Sequence, residues 1–217
     1  MLPVDGFIFD LDGVLCSTDS YHYAAWKQAV EPYGIPCDPA INNRLRGVSR
    51  RESLEILLEN YDGTLTEAQK AEILAEKNLL YIRMLDNLDQ NSLLPGVLPT
   101  LLYLKGYGYP LAVGSSSKNA RTILCRLGIC HIFDCIIDGT MLEKSKPDPE
   151  VFLRAARGLS LKPERCAVIE DAHAGIQAAK RGGFYAIATG DAAASPLADT
   201  VIARLDEIIV LLLAKDD

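Results

Sequence analysis

Two carboxylates, Asp10 and Asp12, lie two positions apart near the start of the chain. Asp10 ends the apolar segment GFIFD at 6–10, which has the pattern of a buried strand, and Asp12 follows directly after it. An extended backbone sends side chains i and i+2 to the same side, so both carboxylates are expected to face one pocket. One could attack phosphorus, while the other protonates the leaving oxygen and later deprotonates the acceptor. Taken alone, the pair could equally be ordinary acidic turn residues.

A second acidic pair, Glu170 and Asp171, ends another apolar segment, RCAVIEDA at 165–172. Hard oxygen ligands from two strand ends are what Mg²⁺ requires, and the ion would screen the carboxylates from a phosphate. Together with Asp10, this pair therefore predicts a Mg²⁺ site. The structural alternative is that Asp171 only caps a helix beginning near His173.

Hydroxyl and amide groups follow a third apolar segment, PLAVG at 110–114, and open a helical pattern. Such a segment offers side-chain donors and a positive helix end to an anion, although a plain helix N-cap is the alternative. The residues are Ser115, Ser116, Ser117, Lys118 and Asn119.

Lys146 lies in KSKPDP, where Pro147 and Asp148 announce the start of a helix. A lysine before such a turn is usually solvated, so its importance depends on the other three segments.

The elements that must position these residues alternate along the chain. Apolar segments at 6–10, 110–116, 133–138, 165–172 and 184–190 each end in small or acidic residues. Helical patterns at 96–107, 118–127, 148–159 and 173–182 separate the later ones. This alternation predicts an α/β fold, a Rossmann-like doubly wound parallel sheet, in which ligand chemistry lies at the carboxyl ends of the strands.

The segment from about 20 to 88 breaks this alternation, because it contains helical patterns with no strand between them. It predicts an inserted all-helical cap of four-helix type. The two crossings are CST at 16–18 and DQNSLLPG at 89–96, which have the small, polar and Pro/Gly residues that suit hinges. We therefore expect a core formed by 1–17 and 90–217, and a cap formed by 18–89.

The four segments, in this order, resemble the haloacid dehalogenase superfamily. The resemblance rests on FDLDGVL at 9–15, GSSSKN at 114–119, SKPDP at 145–149 and IEDAHAGIQAAKRGG at 169–183, and it covers the whole chain. Phosphatases and phosphomutases of that superfamily keep an Asp at the position of Asp12. The dehalogenase, phosphonatase and P-type ATPase branches generally do not, so Asp12 argues against those chemistries.

The predicted cap is similar in detail to that of the beta-phosphoglucomutase subfamily, through TDSYH at 18–22, RGVSRRES at 46–53 and EKN at 76–78. The resemblance implies that Thr18, His22 and Lys77 form a hinge and acid/base relay. It also implies a substrate loop that grips the distal phosphate and the sugar, made of Arg46, Gly47, Val48, Ser49, Arg50 and Ser53. Residue by residue, the alternatives are a helix start at His22, a solvated helix start at Arg50 and an exposed ion pair at Lys77.

The resemblance further implies that Asp10 is the nucleophile, that Lys146 balances its charge, and that Ser115, Ser116, Ser117, Lys118 and Asn119 contact phosphate. Mg²⁺ would be held by Asp10, the Asp12 carbonyl, Glu170 and Asp171. The implied activity interconverts beta-glucose 1-phosphate and glucose 6-phosphate through an aspartyl phosphate and glucose 1,6-bisphosphate. The alternatives are a sugar-phosphate phosphatase and a non-catalytic phosphosugar-binding protein, although the latter is expected to have lost Asp10 or Asp12.

Two positions depart from the subfamily pattern. Arg46 stands where the pattern has Lys, and Lys and Arg are not equivalent at a phosphate or acid/base site. Ser17 stands where an Asp is common. The role of position 46 is therefore open.

Composition narrows the partners of this 217-residue chain. A net charge of −7 argues against a nucleic-acid surface. No apolar run reaches the roughly 18 to 20 residues of a membrane helix, and the acidic N-terminal segment is unlike a secretory signal. Six cysteines without a CxxC pair predict reduced, mostly buried thiols rather than zinc or redox motifs. We expect a cytoplasmic monomer that acts on a small phosphorylated sugar.

Overall fold

Short apolar segments form a parallel sheet in the computed structural model, which describes residues 4–45 and 48–214. Within those residues the sheet has six strands: β1 (Gly6–Phe9), β2 (Leu111–Gly114), β3 (Cys135–Ile137), β4 (Cys166–Glu170), β5 (Tyr185–Ala188) and β6 (Thr200–Val201). Residues of β1, β2 and β4 are all buried, as expected for parallel strands covered on both faces.

The strands lie in the order β3-β2-β1-β4-β5-β6, and every neighbouring pair is parallel. The strand order reverses between β1 and β4, because β2 and β3 extend the sheet on one side of β1 and β4 to β6 on the other. In such sheets the crevice beyond the carboxyl ends of the strands at this reversal is where ligands bind. The predicted Rossmann-like α/β class is confirmed, and Asp10 and Glu170 lie at the reversal.

Helices and short 3₁₀ turns account for the rest of the regular structure. The α-helices over the described residues are α1 (Asp19–Val30), α2 (Pro39–Arg44), α3 (Arg50–Leu58), α4 (Glu67–Met84), α5 (Val97–Gly106), α6 (Ala120–Arg126), α7 (Glu150–Gly158), α8 (His173–Arg181) and α9 (Glu207–Leu213). The helices predicted at 96–107, 118–127, 148–159 and 173–182 are present, with ends within two residues of the prediction.

The chain divides into two compact units. The α/β unit comprises Met1–Ser17 and Asp89–Asp217, and the helical unit comprises Thr18–Leu88. In the α/β unit, helices α7 and α8 bury Phe152 and Ile176 in a core that includes Ile8 and Val168 of the sheet. The assignment of the two units as catalytic core and cap stays a prediction.

The helical unit is built from α1 to α4 around its own apolar core. Trp26 of α1, Leu54 and Leu57 of α3 and Ile73 of α4 are almost completely buried in it. Ser49–Glu52 and Thr66–Gln69 form capping boxes at the starts of α3 and α4. Each such N-cap contributes about 1 kcal/mol, so these helix starts are fixed locally as well as by packing.

The cysteines are free thiols, but they are not mostly buried. Cys16 and Cys166 are buried, Cys37, Cys130 and Cys135 are half-buried, and Cys125 is exposed. The expectation of general burial was wrong because three of these residues lie at helix or strand ends near the surface.

Among the described residues, no helix combines the length and the apolar character needed to span a membrane.

Candidate active site

Three carboxylates meet where the strand order reverses. Asp10 directly follows β1, and its N–H donates to the carbonyl of Ile169 in β4 at 3.0 Å. This backbone hydrogen bond brings Asp10 beside Glu170, the last residue of β4. Asp171 is the next residue in the chain. One oxygen from each of Asp10, Glu170 and Asp171 lies within 4.8 Å of the other two. The sequence prediction that residues 10 and 171 converge is therefore satisfied.

Lys146 lies between two of these carboxylates. Its Nζ donates to Asp10 Oδ1 at 2.5 Å and to Glu170 Oε1 at 2.6 Å. The side chain of Lys146 is fully buried, and its ammonium lies 4.8 Å from the centre of the Phe152 ring. The alternative of a solvated lysine is wrong. Burial alone would lower the pKa of Lys146, but the carboxylates of Asp10 and Glu170 outweigh it and raise that pKa, which keeps the ammonium charged.

Glu170 is held at both ends of its carboxylate. Oε1 accepts from Lys146, and Oε2 accepts from the backbone N–H of Ala172 at 2.8 Å. In α8, Gly175 lets the helix approach, because a Cβ at this position would overlap the Glu170 carboxylate. The N-cap of α8 is Ala172, so the alternative that Asp171 serves as that cap is wrong.

The carboxylates repel one another in this buried setting. Burial, and then the negative charge of Glu170, raise the pKa of Asp10 to about 7, although Lys146 opposes the shift. Burial and the charges of Glu170 and Asp10 raise the pKa of Asp171 to about 9. One ammonium therefore does not balance the negative charge at this strand edge.

This arrangement fits Mg²⁺. The cluster offers only oxygen donors, which are the ligands that this ion prefers. Burial and mutual repulsion raise the pKa values of Asp10 and Asp171, and a divalent cation beside Asp10, Glu170 and Asp171 would offset both effects with positive charge.

The chain turns after Asp12, at Gly13. Gly13 has φ of 79°, a left-handed conformation that favours glycine, and its N–H donates to Cys16 O at 2.7 Å. A Cβ at Gly13 would overlap the carboxylate of Asp171. Asp12 is half-buried and pairs with Cys16 in an isolated bridge.

The segment after β2 is anchored at Ser115. This residue is buried, and its N–H extends the sheet by donating to Ile137 O at 3.0 Å. Ser115 Oγ accepts from Ser117 N at 3.1 Å, and Ser117 Oγ accepts from Asn119 N at 3.2 Å. Ser116 is half-buried and Lys118 is exposed. Asn119 is the N-cap of helix α6, but its side chain makes no capping hydrogen bond to that helix.

A second polar cluster lies within the helical unit. His22 Nδ1 and Lys77 Nζ are 2.8 Å apart, and Thr18 Oγ1 and Tyr81 Oη are 2.7 Å apart. The rings of His22 and Tyr81 lie 4.2 Å apart, and the Lys77 ammonium lies 5.4 Å from the Trp26 ring. Lys77 is only 2% exposed, so the alternative of an exposed ion pair is wrong.

Arg50, predicted to bind phosphate, is half-buried at the start of α3. Its Nη2 donates to Asn78 Oδ1 at 2.6 Å, and burial lowers the pKa of its guanidinium. The structure does not support a merely solvated helix start here. Ser49 caps α3, and Ser53 Oγ donates to Ser49 O at 3.0 Å. Val48 is half-buried, whereas Arg46 and Gly47 lie outside the described residues.

Comparison with known proteins assigns the chain to a family. The model of the haloacid dehalogenase-like hydrolases matches residues 4–183. The chain belongs to the haloacid dehalogenase-like hydrolases. This assignment confirms the superfamily resemblance seen in the sequence.

Relatives of this haloacid dehalogenase-like protein include mutases and phosphatases. A beta-phosphoglucomutase of Bacillus subtilis is 42% identical over 96% of this chain and 93% of that protein. A phosphorylated carbohydrates phosphatase of Thermotoga maritima is 32% identical over 85% of this chain and 84% of that protein. The crystal structure of a beta-phosphoglucomutase from Clostridium difficile has a TM-score of 0.91 and 36% identity, covering 97% of this chain and 95% of that one. The resemblance to the beta-phosphoglucomutase subfamily is therefore also confirmed.

Sequence reasoning about this haloacid dehalogenase-like protein did not single out Tyr81 or Asn78. Tyr81 is 1% exposed, as a packing residue would be, and its hydroxyl also bonds to Thr18. The available signal was spacing. Tyr81 follows Lys77 by four positions in a helical pattern, which brings the two side chains to one face of α4.

Proposed function

We propose that the protein is a Mg²⁺-dependent beta-phosphoglucomutase that interconverts beta-D-glucose 1-phosphate and glucose 6-phosphate. The observation that carries the proposal is the buried Asp10, which bonds to Lys146 at 2.5 Å and lies beside Glu170 and Asp171 at the reversal of strand order. The 42% identity to the beta-phosphoglucomutase of Bacillus subtilis supports this substrate class.

In the proposed reaction, phospho-Asp10 gives its phosphoryl group to the 6-hydroxyl of beta-glucose 1-phosphate. The hydroxyl loses its proton to Asp12, and the bond between phosphorus and the Asp10 oxygen breaks. The resulting glucose 1,6-bisphosphate reorients, and Asp10 attacks the phosphorus at C1. Asp12 then protonates the leaving sugar oxygen, so glucose 6-phosphate is released and phospho-Asp10 is restored.

The other residues of the α/β unit bind and balance charge in this proposal. Lys146 offsets the charge of the nucleophile, while Ser115, Ser116, Ser117, Lys118 and Asn119 contact the phosphates. Asp10, the carbonyl of Asp12, Glu170 and Asp171 would hold Mg²⁺, which supplies positive charge to the transferring phosphoryl oxygens.

The helical unit supplies the groups that favour the sugar as acceptor. Thr18, His22 and Lys77 act in the hinge and acid/base relay, and the 2.8 Å contact between His22 and Lys77 supports their joint action. The substrate loop, Arg46, Gly47, Val48, Ser49, Arg50 and Ser53, binds the distal phosphate and the sugar. The guanidinium of Arg50 suits phosphate because it can donate two parallel hydrogen bonds.

A sugar-phosphate phosphatase is the second candidate. It would use the same nucleophile and pass the phosphoryl group to water. The 32% identity to the phosphatase of Thermotoga maritima favours this candidate, as does Arg46 in place of Lys. The contact between His22 and Lys77 in the helical unit weighs against a phosphatase.

A single assay separates the two candidates. The protein is incubated with Mg²⁺, beta-glucose 1-phosphate and a trace of glucose 1,6-bisphosphate, and glucose 6-phosphate and inorganic phosphate are measured separately. We expect glucose 6-phosphate with little free phosphate. Release of phosphate in stoichiometric amounts with little glucose 6-phosphate would exclude the mutase.

Replacement of the nucleophile tests the mechanism. We expect Asp10→Asn to lower turnover by more than about 1,000-fold, because the amide cannot form the phosphoenzyme. Asp5→Asn is the matched control: Asp5 precedes the same strand but forms an exposed ion pair with Arg165. It should leave turnover unchanged. Unimpaired turnover in Asp10→Asn would refute the mechanism.

The setting of the reaction is also a proposal. We expect a cytoplasmic monomer whose partner is a small phosphorylated sugar. The six free thiols support a reducing compartment.

A further inference from the structure

Tyr81 contacts three residues of the proposed relay at once. Its hydroxyl lies 2.7 Å from Thr18 Oγ1, its ring centre lies 4.2 Å from that of His22, and the Lys77 ammonium lies 4.5 Å from its ring centre. The side chain is 1% exposed. Because a buried ring with bonded neighbours has few accessible rotamers, Tyr81 can fix the positions of all three.

The hydroxyl of Thr18 contacts Tyr81 and does not cap α1. Thr18 is the N-cap of α1, yet its side chain makes no capping hydrogen bond to the residues of α1. A threonine cap is worth about 1 kcal/mol. The orientation of Thr18 towards Tyr81 therefore forgoes a local stabilisation, which points to a positional role.

Lys77 fixes the tautomer of His22. An ammonium has only donors, so in the 2.8 Å contact Lys77 Nζ donates and His22 Nδ1 accepts. An imidazole that accepts at Nδ1 carries its ring proton on Nε2. The Tyr81 ring packs against this imidazole with an interplanar angle of 39°, and so restricts where Nε2 points.

The Thr18–Tyr81 bond also joins the two ends of the helical unit. Thr18 is the first residue of that unit, and Tyr81 lies in α4, its last α-helix. The bond spans 63 positions of sequence. The bond thereby links the Thr18 crossing to α4, which carries Lys77.

From these contacts we infer that Tyr81 is a positioning residue that directs the phosphoryl group to the sugar hydroxyl rather than to water. The inference rests on the mutase reaction proposed above. Transfer to a sugar hydroxyl requires an oriented relay, whereas water is mobile and needs little orientation. Loosening Thr18 and His22 should therefore slow transfer to the sugar more than it slows hydrolysis.

The test uses the full chain and the two-product assay. We expect Tyr81→Phe, which removes only the hydroxyl, to raise the ratio of inorganic phosphate to glucose 6-phosphate by about tenfold through a lower rate of glucose 6-phosphate formation. Tyr33→Phe is the matched control, because the Tyr33 hydroxyl also donates to α4, to Glu72 at 3.1 Å, but at an exposed position away from the relay. Its product ratio should equal that of the unmodified protein.

Variants at Thr18 separate positioning from stability. Thr18→Val should raise the product ratio as Tyr81→Phe does, and the double variant should raise it no further, because both changes break one bond. Thr18→Ser keeps a hydroxyl and should restore most of the original ratio. Should Tyr81→Phe fail to fold, the Thr18 variants decide alone.

The outcomes are distinct. If the unmodified protein releases only inorganic phosphate, the proposed function fails and the inference fails with it. If the unmodified protein forms glucose 6-phosphate and Tyr81→Phe or Thr18→Val lowers both products in proportion, the role of Tyr81 is structural and the inference alone is overturned.

Discussion

At the scale of single residues, the feature that organises the candidate site is a buried ion triad. Lys146 donates to two carboxylates, Asp10 and Glu170, and the side chains of Lys146 and Glu170 have no exposed surface. Removing one member of such a group leaves the others charged and desolvated, which costs more than the intact group contributes. The ammonium is thus required for stability as well as for the proposed chemistry.

We therefore predict that Lys146→Ala lowers the free energy of unfolding by about 3–5 kcal/mol, as measured by urea denaturation. Lys144→Ala is the control: this neighbouring lysine is 71% exposed and lies 3.6 Å from Asp148. Its loss should cost less than about 0.5 kcal/mol, because exposed ion pairs contribute little. Equal losses in the two variants would contradict the triad.

At the scale of elements, the close approach of α8 to the end of β4 depends on the missing side chain of Gly175. Alanine usually stabilises a helix relative to glycine by roughly 0.5–1 kcal/mol. Here a Cβ would overlap the Glu170 carboxylate, which Lys146 and Ala172 already hold. Replacing glycine by alanine should therefore lower the free energy of unfolding at Gly175 and raise it in a helix where the new Cβ meets no other atom.

We predict that Gly175→Ala lowers the free energy of unfolding by more than about 1 kcal/mol, since it forces Glu170 away from Lys146. Gly106→Ala, at the end of α5, should raise it by about 0.5–1 kcal/mol, because no atom lies within 4 Å of the new Cβ. Denaturant titrations of both variants give the comparison. Stabilisation by both substitutions would show that α8 can move aside.

A second contact between elements carries a pH dependence. Asp134, just before β3, accepts from Lys105 Nζ at 2.8 Å and from Leu111 N at 2.8 Å. Burial raises the pKa of Asp134, but these hydrogen bonds outweigh it, so the net pKa lies below its usual 3.8. A depressed folded-state pKa contributes stability above the unfolded value, and that stability is lost as the pH falls through the folded value.

We predict that Asp134→Asn is destabilising by only about 0.5 kcal/mol near pH 7, because the carboxylate is 43% exposed and water screens its ion pair. The difference from the unmodified protein should shrink by about pH 3.5. Urea unfolding at the two pH values measures it. Asp62→Asn, which changes an exposed loop carboxylate, should alter stability at neither pH. A difference for Asp134→Asn that grows on acidification would have the wrong sign.

At the scale of the whole molecule, the α/β unit is discontinuous, since the helical unit lies between Ser17 and Asp89. The acidic cluster joins residues from both pieces: Asp10 from the first, and Glu170 and Asp171 from the second. A ligand that binds this cluster only when the unit is folded must stabilise the whole unit by mass action.

We predict that Mg²⁺ at about 100 times its Kd raises the free energy of unfolding by about 2.7 kcal/mol, which corresponds to roughly 5–10 °C in Tm. Thermal unfolding with Mg²⁺ and with a chelator, at matched ionic strength, measures the shift. Asp171→Asn should abolish most of it. An equal shift in that variant would mean that Mg²⁺ acts elsewhere.

Local pattern was sufficient to predict the strands β1 to β5 and the helices α5 to α8. It also predicted that the candidate site residues lie at strand ends. Apolar segments and helical periodicity are properties of neighbouring residues, so one sequence suffices to find them. It was not sufficient for β6, which has two residues, or for the short helix α2, which has six. Elements this short carry too few residues to show a period.

The state of individual polar groups was decided only by the tertiary structure. From sequence, Lys146 had the pattern of a solvated lysine, yet it is buried against Asp10, 136 positions away. Nothing in the sequence near Tyr81 indicated a partner for its hydroxyl, yet Tyr81 bonds to Thr18 across 63 positions. The burial of a side chain and the identity of its hydrogen-bond partner depend on which distant segments the fold brings together. The free energy of a charged group or a hydroxyl is therefore set by its surroundings in space rather than by its neighbours in sequence.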